Sequence, residues 1–174
     1  QDGTHAMHVD DLRDVALPLY EGRMIGQFDF SEKGWVSGSG RSAVWRDIPI
    51  ERKVLEPQYL MSSADYLAAV DKAGEKKAIR GLKVGFMDVS SATNSRSMIS
   101  SALWDRPCGN KVPILSVRGG EPLAMGLLAS LNSTVFDFAL RNRLGGLTIN
   151  YFIAEESPLP APDSFTTAVV QKIF

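Results

Sequence analysis

A run of polar side chains between Met87 and Ile99 has the residue types that read DNA bases. The run places Thr93, Asn94, Ser95 and Arg96 side by side, directly after an apolar segment. In the major groove an asparagine pairs with adenine and an arginine with guanine, each through two hydrogen bonds, while Ser and Thr serve bases or phosphates. The same residues suit an ordinary polar turn, in which Thr93 and Asn94 bond to the local backbone. Composition alone favours the turn and leaves base recognition as the second interpretation.

Motifs for other chemistries do not occur in the sequence. The loop SGSGRS at residues 37–42 has neither the GxxxxGK[ST] nor the GxGxxG spacing of phosphate-binding loops. There is no GxSxG nucleophile motif and no Asn-Pro-Pro-aromatic motif of an adenine methyltransferase. Two histidines, His5 and His8, and one cysteine, Cys108, are too few for a structural zinc site. The sequence therefore predicts no catalytic residue and no metal site.

Length and composition indicate one globular domain. The chain has 174 residues, of which 44% are hydrophobic and 22% charged, enough to bury a core. No apolar run approaches the roughly 18 residues of a membrane helix, and the beginning does not have the pattern of a secretory leader. A single cysteine fits a reducing compartment. We therefore expect a cytoplasmic protein without membrane contact.

The net charge of -1 conceals a basic middle section. Residues 33–118 carry 14 Lys and Arg against 8 Asp and Glu. Such a separation could give one positive face for DNA phosphates, although a solvated mixture of charges also explains it. On the first interpretation, the polar run shares a basic face with two residues beside the glycine loop and two in a later turn. These are Arg41, Arg46, Asn110 and Lys111.

The spacing of apolar residues predicts an α+β fold, a single mixed domain with a small β-sheet core and a long C-terminal amphipathic helix. That helix is predicted from Pro122 to Arg143, because Leu128, Leu131, Val135 and Phe138 recur at spacings of three and four. This register makes Phe138 a core residue, whose replacement by Ala would cost about 3–5 kcal/mol.

The remaining segments are shorter. Residues 1–16 are polar and acidic and predict a connector to a missing upstream domain, so that the domain itself spans residues 17–174. Arg141 and Arg143 near the end of the long helix are candidates for DNA or partner contact, or are plain helix-end cations. Strands are predicted within 17–30, 82–86 and 112–117, helices at 62–74, 149–153 and 165–174, and loops at 35–45 and 76–80. Residues 96–104 suit a strand or a helix, and the strand is favoured.

Three segments in order resemble one family of bacterial enzymes. PLYEGRMIGQFDF, from Pro18, is similar to the family block PLYEGKMIHQFD, with Gly26 in place of its histidine. DVSSATNSRSMISSAL, from Asp88, is similar to a block containing ATNERT. LNSTVFDFALRNRLGGLTIN, from Leu131, resembles a block with LNS, VFD and GGTHLN, although Leu147-Thr148 replaces the family's Thr-His. The family is the Eco-fifty-seven-I-like, type IIG-like adenine-specific DNA methyltransferases of restriction-modification and phage-defence systems.

The resemblance implies the C-terminal target-recognition domain of such an enzyme. It implies double-stranded DNA and an upstream methyltransferase domain as partners. That upstream domain would hold S-adenosylmethionine, and the parent enzyme could also carry a nuclease. This chain would need no cofactor and would do no covalent chemistry. Its expected DNA-binding residues are Arg41, Arg46, Thr93, Asn94, Ser95, Arg96, Asn110 and Lys111, with Arg141 and Arg143 contacting DNA or a partner.

Two alternatives stay open at this point. The chain could be a protein-interaction module that docks a methylase to a nuclease or translocase without touching DNA. It could also be a small independent enzyme, which a cleft with several titratable groups of perturbed pKa would favour.

Overall fold

The computed structural model describes residues 13–73, 81–117 and 119–165, which form a mixed α+β fold, as expected. In that part of the chain seven short strands make three small antiparallel sheets, and four α-helices accompany them. The strands are β1 (Ala16–Pro18), β2 (Lys33–Ser37), β3 (Val44–Asp47), β4 (Leu60–Ser62), β5 (Lys83–Phe86), β6 (Ser100–Leu103) and β7 (Ile114–Leu115). The helices are α1 (Ser63–Ala73), α2 (Glu121–Leu131), α3 (Thr134–Arg141) and α4 (Tyr151–Glu155).

The three-stranded sheet β6-β5-β7 carries the main core. All four residues of the middle strand, β5, are buried. Val84 and Phe86 of this strand share one apolar cluster with Leu128 of α2 and Leu140 of α3. α2 and α3 therefore share their buried apolar surface with this sheet, and such burial is the main favourable term in folding.

Residues 35–45, predicted as a loop, instead form most of a β-hairpin. β2 and β3 pair antiparallel with Trp35 opposite Trp45. Gly38 and Gly40 at the turn have positive φ angles of 74° and 54°, which a residue with a side chain rarely adopts. The loop prediction was wrong because these glycines reverse the chain between two strands rather than leaving it irregular.

The predicted long helix is also wrong, because it is divided into α2 and α3 with a bend of 59° between them. Asn132 leaves the helix and bonds to the backbone of β6: its Oδ1 accepts from Ser100 N at 3.0 Å, and its Nδ2 donates to Ser100 O at 2.9 Å. Ser133 then caps α3, accepting from Phe136 N at 3.1 Å. Asn132 is thus the C-terminal cap of α2, and Ser133 begins a second helix directly after it.

The break changes which face of α3 is buried. Leu128 and Leu131 of α2 are in the core, as predicted. The prediction for Val135 and Phe138 is wrong, because their side chains are 78% and 72% exposed. Phe136 and Leu140 take their place in the core.

The other predicted elements mostly appear, with shorter bounds. α1, β5, β6, β7 and α4 lie within or close to the predicted segments.

The predicted connector overlaps the fold, since β1 begins at Ala16 and pairs with β4. The Asp14 carboxylate also accepts hydrogen bonds from Ser62 Oγ and from Ala64 N at the start of α1. The basic loop at 76–80 and the helix expected after Phe165 lie outside the described residues.

Within the described residues, no single helix is both long and apolar enough to cross a membrane. α2 and α3 reach the necessary length and composition only when taken together, as a sharply bent pair.

Replacing one residue on each face of α3 tests its register. We expect Leu140→Ala to lower the free energy of unfolding by about 2–5 kcal/mol, because the side chain is fully buried. Phe138→Ala should lower it by less than about 0.5 kcal/mol, since that side chain is mostly in water. Urea denaturation of both variants measures the difference. Equal destabilisation by the two substitutions would contradict the observed break between the two helices.

Candidate functional site

A cleft of about 520 Å³ opens between the β2–β3 hairpin, the segment after β1 and the loop before β7. We call it the hairpin cleft. Its volume lies within the range of about 300–1,000 Å³ typical of small-molecule pockets. Its walls combine apolar, aromatic and polar side chains, including Leu19, Met87, Val89, Trp45, Tyr59, Glu21, Arg23, Gln58, Asn110 and Lys111.

Two polar atoms of residues that line the hairpin cleft are buried without a hydrogen-bond partner among the described residues. They are Oε2 of Glu21 and Nε1 of Trp45. Burial raises the pKa of the Glu21 carboxyl, and the nearby Arg23 opposes this in part. Buried polar groups without partners are uncommon in folded proteins, where ordered water usually satisfies them.

Cationic side chains stand around this cleft. Arg23 and Lys111 line it, and Arg41 follows the lining residue Gly40. Lys111 Nζ lies 3.0 Å from Oδ2 of the buried Asp88. Arg23 and Arg41 are exposed, and the described residues give them no ion pair. These two arginines are therefore available to an anionic ligand.

The polar run at residues 93–96 lies in an exposed turn whose backbone is held by hydrogen bonds from α3. We call it the polar turn. Thr93, Asn94 and Ser95 are exposed. Arg141 of α3 donates to Ala92 O at 3.0 Å and to Ser95 O at 2.7 Å. The turn thus presents its side chains to solvent while its backbone is tied to a helix.

A buried carboxylate holds this attachment together. Asp137 of α3 accepts hydrogen bonds from Ser97 N at 2.8 Å, Met98 N at 2.7 Å and Arg141 Nε at 2.8 Å. Burial acts to raise the pKa of Asp137. The bonds from Met98, Arg141 and Ser97, together with the nearby Arg96, outweigh it, so that the pKa lies below its ordinary value.

Arg96, expected to read a base, points into the protein instead. Its side chain is 22% exposed, and its Nη2 donates to the carbonyl oxygens of Asn132 and Ser133. These carbonyls lie at the break between α2 and α3. The guanidinium therefore stabilises the end of a helix.

The predicted site residues fall into separate groups. Asn110 and Lys111 line the hairpin cleft, and Arg41 follows the lining residue Gly40 in sequence, whereas residues 93–96 and Arg141 form the polar turn. Arg46 bonds to Glu56, and Arg143 bonds to the backbone oxygen of Glu156 beyond α4.

The cleft and the polar turn are joined by a short stretch of chain. Met87 and Val89 line the cleft, and the turn begins two residues later at Ser91. Ser90 Oγ donates to Ser97 O at 2.6 Å and Ser97 Oγ donates to Ser91 O at 2.9 Å, which closes the base of the turn. Met87 and Val89 of the cleft wall and the polar turn thus belong to one continuous segment of the chain.

Sequence reasoning missed Glu21, Arg23 and Trp45. Glu21 and Arg23 lie in the PLYEGRM segment, whose apolar character predicted only a strand and turn against the core. The signal was the presence of two charged residues inside an apolar block. Trp45 was assigned to a loop, and only its pairing in the hairpin places it at the cleft.

Several groups with perturbed pKa lie elsewhere, around Lys83. Burial lowers the pKa of Lys83, and burial raises the pKa of Cys108 to about 11. The Lys83 ammonium donates to Arg106 O at 2.6 Å and to Tyr66 Oη at 3.3 Å. None of these residues lines the hairpin cleft. A thiol of raised pKa is a poor nucleophile, so this cluster is better explained as internal bonding of a buried cation.

Comparison with known proteins identifies no relative. No family model, no curated protein and no solved structure matches the chain. Within the described residues, no group of three or more His, Cys, Asp or Glu side chains is arranged to hold a metal ion. The chemistry of the cleft and of the polar turn is therefore the guide to function.

Removing the Asp137 carboxylate tests its structural role. We expect Asp137→Ala to lower the free energy of unfolding at pH 7 by about 3–5 kcal/mol, because backbone donors and Arg141 lose their acceptor. Asp163→Ala, at an exposed position, is the control.

The same variant has an expected pH dependence. A lowered folded pKa means that ionised Asp137 stabilises the fold fully above its unfolded pKa of about 3.9. This stability is lost as the pH falls through the folded pKa, so the gap between wild type and Asp137→Ala should narrow below about pH 4. Urea denaturation at pH 7 and pH 3 measures it, and a gap that widens in acid would contradict the assignment.

Proposed function

We propose that this chain is a sequence-recognising DNA-binding module. The observation that carries the proposal is the polar turn, which is exposed at its side chains and anchored at its backbone by Arg141 and Asp137. Side chains that read base edges need a fixed position, since a misplaced hydrogen-bonding group does not discriminate between bases. Asn94 is the best candidate for a base contact, because its amide suits adenine.

Phosphate binding would come from the cations beside the hairpin cleft. Arg23 and Arg41 are exposed and form no ion pair among the described residues, and Lys111 is oriented by Asp88. Contacts to phosphate supply affinity and register, while contacts to bases supply choice. In this proposal Arg96 and Arg141 are positioning residues, since their guanidinium groups bond to protein carbonyl oxygens.

The sequence resemblance suggests which larger enzyme this module would belong to. The chain would be the target-recognition domain of an adenine-specific, type IIG-like DNA methyltransferase, acting in the cytoplasm in restriction-modification or phage defence. The upstream domain would bind S-adenosylmethionine and take the target base out of the duplex. This chain would select the site and transfer no methyl group itself.

A charge-removal pair tests DNA binding. We expect the double variant Arg23→Gln/Arg41→Gln to bind every duplex more weakly than wild type, because phosphates carry no sequence information. The slope of log affinity against log salt should become shallower by about one for each phosphate that the variant no longer neutralises. Fluorescence anisotropy with labelled duplexes at several salt concentrations measures both quantities. Arg52→Gln removes an exposed charge that does not line the cleft, and an equal effect in this control would refute the assignment to these two arginines.

Asn94 should govern sequence choice rather than general affinity. Selection from a random duplex library with the wild-type chain should enrich a preferred site. On that site Asn94→Ala should lose about 1–3 kcal/mol and relax the preference at one position. Asn142→Ala is a matched control, because Asn142 is exposed beside α3 but bonds to Phe138 O. Unchanged selection by Asn94→Ala would place base reading elsewhere.

The exposed face of α3 favours a second candidate, a protein-docking module. Val135 and Phe138 lie one turn apart and are mostly in water, and exposed apolar side chains are a feature of protein interfaces. Duplex binding discriminates between the candidates. A docking module should show no salt-dependent affinity for DNA, and Val135→Ser/Phe138→Ser should abolish its association with the methylase partner.

A further inference from the structure

We propose that Phe28 is a specificity-determining residue whose ring inserts between two stacked bases at the site read by the polar turn. This inference rests on the proposed function, because it takes the bound molecule to be duplex DNA. Three properties of Phe28 support the role: its backbone conformation, its exposure and the attachment of the turn that carries it.

Phe28 has a backbone conformation that a bulky residue disfavours. Gly26 and Asp29 exchange two backbone hydrogen bonds, at 2.8 and 3.2 Å, which close a tight turn. Phe28 is the third residue of that turn and has a φ angle of 59°, and within the described residues no other residue except glycine has a positive φ. Glycine or asparagine is usual at such a position, and a bulky side chain there is strained. We call residues 26–29 the Phe28 turn.

The side chain in this strained position does not serve the core. Phe28 is 49% exposed, and it belongs to neither of the two apolar clusters that form the core of the described residues. A strained residue persists only where the surrounding structure enforces it, and such residues concentrate at binding and switch sites. The aromatic ring is therefore better explained by an external contact than by folding.

The Phe28 turn is fixed to two distant segments of the protein. The backbone N–H of Phe28 donates to Ser100 O at 3.0 Å. The side chain of Gln27 donates through Nε2 to Asn132 O at 2.9 Å. A ring that parts two bases needs a rigid support of this kind, since the base stack resists being opened.

The polar turn is attached to the same carbonyl group. Asn132 O accepts a hydrogen bond from Arg96 Nη2 in addition to the one from Gln27 Nε2. Arg96 is the last residue of the polar run at residues 93–96. The two exposed turns are thus joined at the break between α2 and α3, which holds Phe28 in a fixed relation to the residues proposed to read bases.

A base stack suits an exposed flat ring in this position. Phenylalanine is among the side chains that proteins insert between base steps, which partly unstacks the bases and kinks the duplex. The carboxylate that follows the ring, that of Asp29, is paired with Lys53 Nζ at 2.5 Å, so its charge is compensated near the phosphates. Insertion also creates a sequence preference without a base-edge contact, because pyrimidine–purine steps deform more easily than others. We therefore expect Phe28 to select a TA or CA/TG step within the site.

The fluorescence of 2-aminopurine, which rises when this base analogue is unstacked, tests the insertion. The analogue replaces one adenine at a time in the duplex selected from the random library, and the 174-residue chain is added. We expect the wild type to raise the fluorescence at one step, Phe28→Ala to give no rise and Phe28→Trp to retain it. Phe152→Ala is the matched control, because Phe152 is an exposed phenylalanine on α4, and it should leave the rise unchanged.

A change of the responsive step tests the choice of sequence. Replacing that step by the stiffer AA should weaken wild-type binding by about tenfold, within the usual cost of one unfavourable position. Phe28→Ala should bind the original and the altered duplex equally, since it no longer opens the step.

Phe28→Gly separates recognition from folding. Glycine suits the positive φ and removes the ring, so the urea midpoint of this variant should equal or exceed that of the wild type. A fall in the midpoint would assign the ring to the stability of the fold and overturn the inference.

The outcomes also separate this inference from the proposed function. Binding of the selected duplex with no rise in fluorescence at any step, or with an equal rise in Phe28→Ala, overturns the inference and leaves DNA binding standing. Equal weakening of all duplexes by Phe28→Ala, with the step preference retained, likewise overturns the inference alone. Failure of the wild-type chain to bind any duplex overturns both.

Discussion

The Asp137 carboxylate is the interaction on which the arrangement of the polar turn depends. It is buried on α3 and receives hydrogen bonds from two backbone amides beyond the turn and from Arg141. Those bonds compensate for its removal from water, which would otherwise be costly. Because Arg141 reaches from this carboxylate to the carbonyl oxygens of Ala92 and Ser95, one buried charge fixes both ends of an exposed loop. An apolar residue at this position could fill the space but could not orient the loop.

Many of the basic residues in the described part of the chain have partners within the protein. Arg46 bonds to Glu56, Lys111 to Asp88, and Arg96 to carbonyl oxygens at the break between α2 and α3. A basic excess along the sequence therefore does not translate directly into a basic surface. Beside the hairpin cleft, Arg23 and Arg41 are exposed and form no ion pair among the described residues. The proposed binding of phosphate therefore depends mainly on these two arginines.

The sequence predicted the class of fold and the position of most elements, because apolar spacing and capping residues act locally. It failed where a side chain bonded to a distant element. Asn132, at the end of α2, forms two hydrogen bonds with the backbone of Ser100. The sequence of α2 and α3 contains no pattern that predicts Ser100 as its partner. The periodicity of Leu128, Leu131, Val135 and Phe138 was real in the sequence, but its last two members lie beyond the break and face water. Gly38 and Gly40 suggested a loop, although the same glycines permit a tight hairpin.

The sequence by itself determined an α+β domain with a polar, amide-bearing turn after a buried strand, since composition and periodicity fix which residues prefer water and which avoid it. Only the tertiary structure decided what each charged group does. Arg96 and Asn94 lie in the same polar run of the sequence, yet the first bonds inward and the second is exposed. Likewise, Glu21 and Trp45 are 24 positions apart in the chain and line one cleft. Such assignments depend on distances between segments far apart in sequence, and hydrogen bonding acts only over a few ångströms.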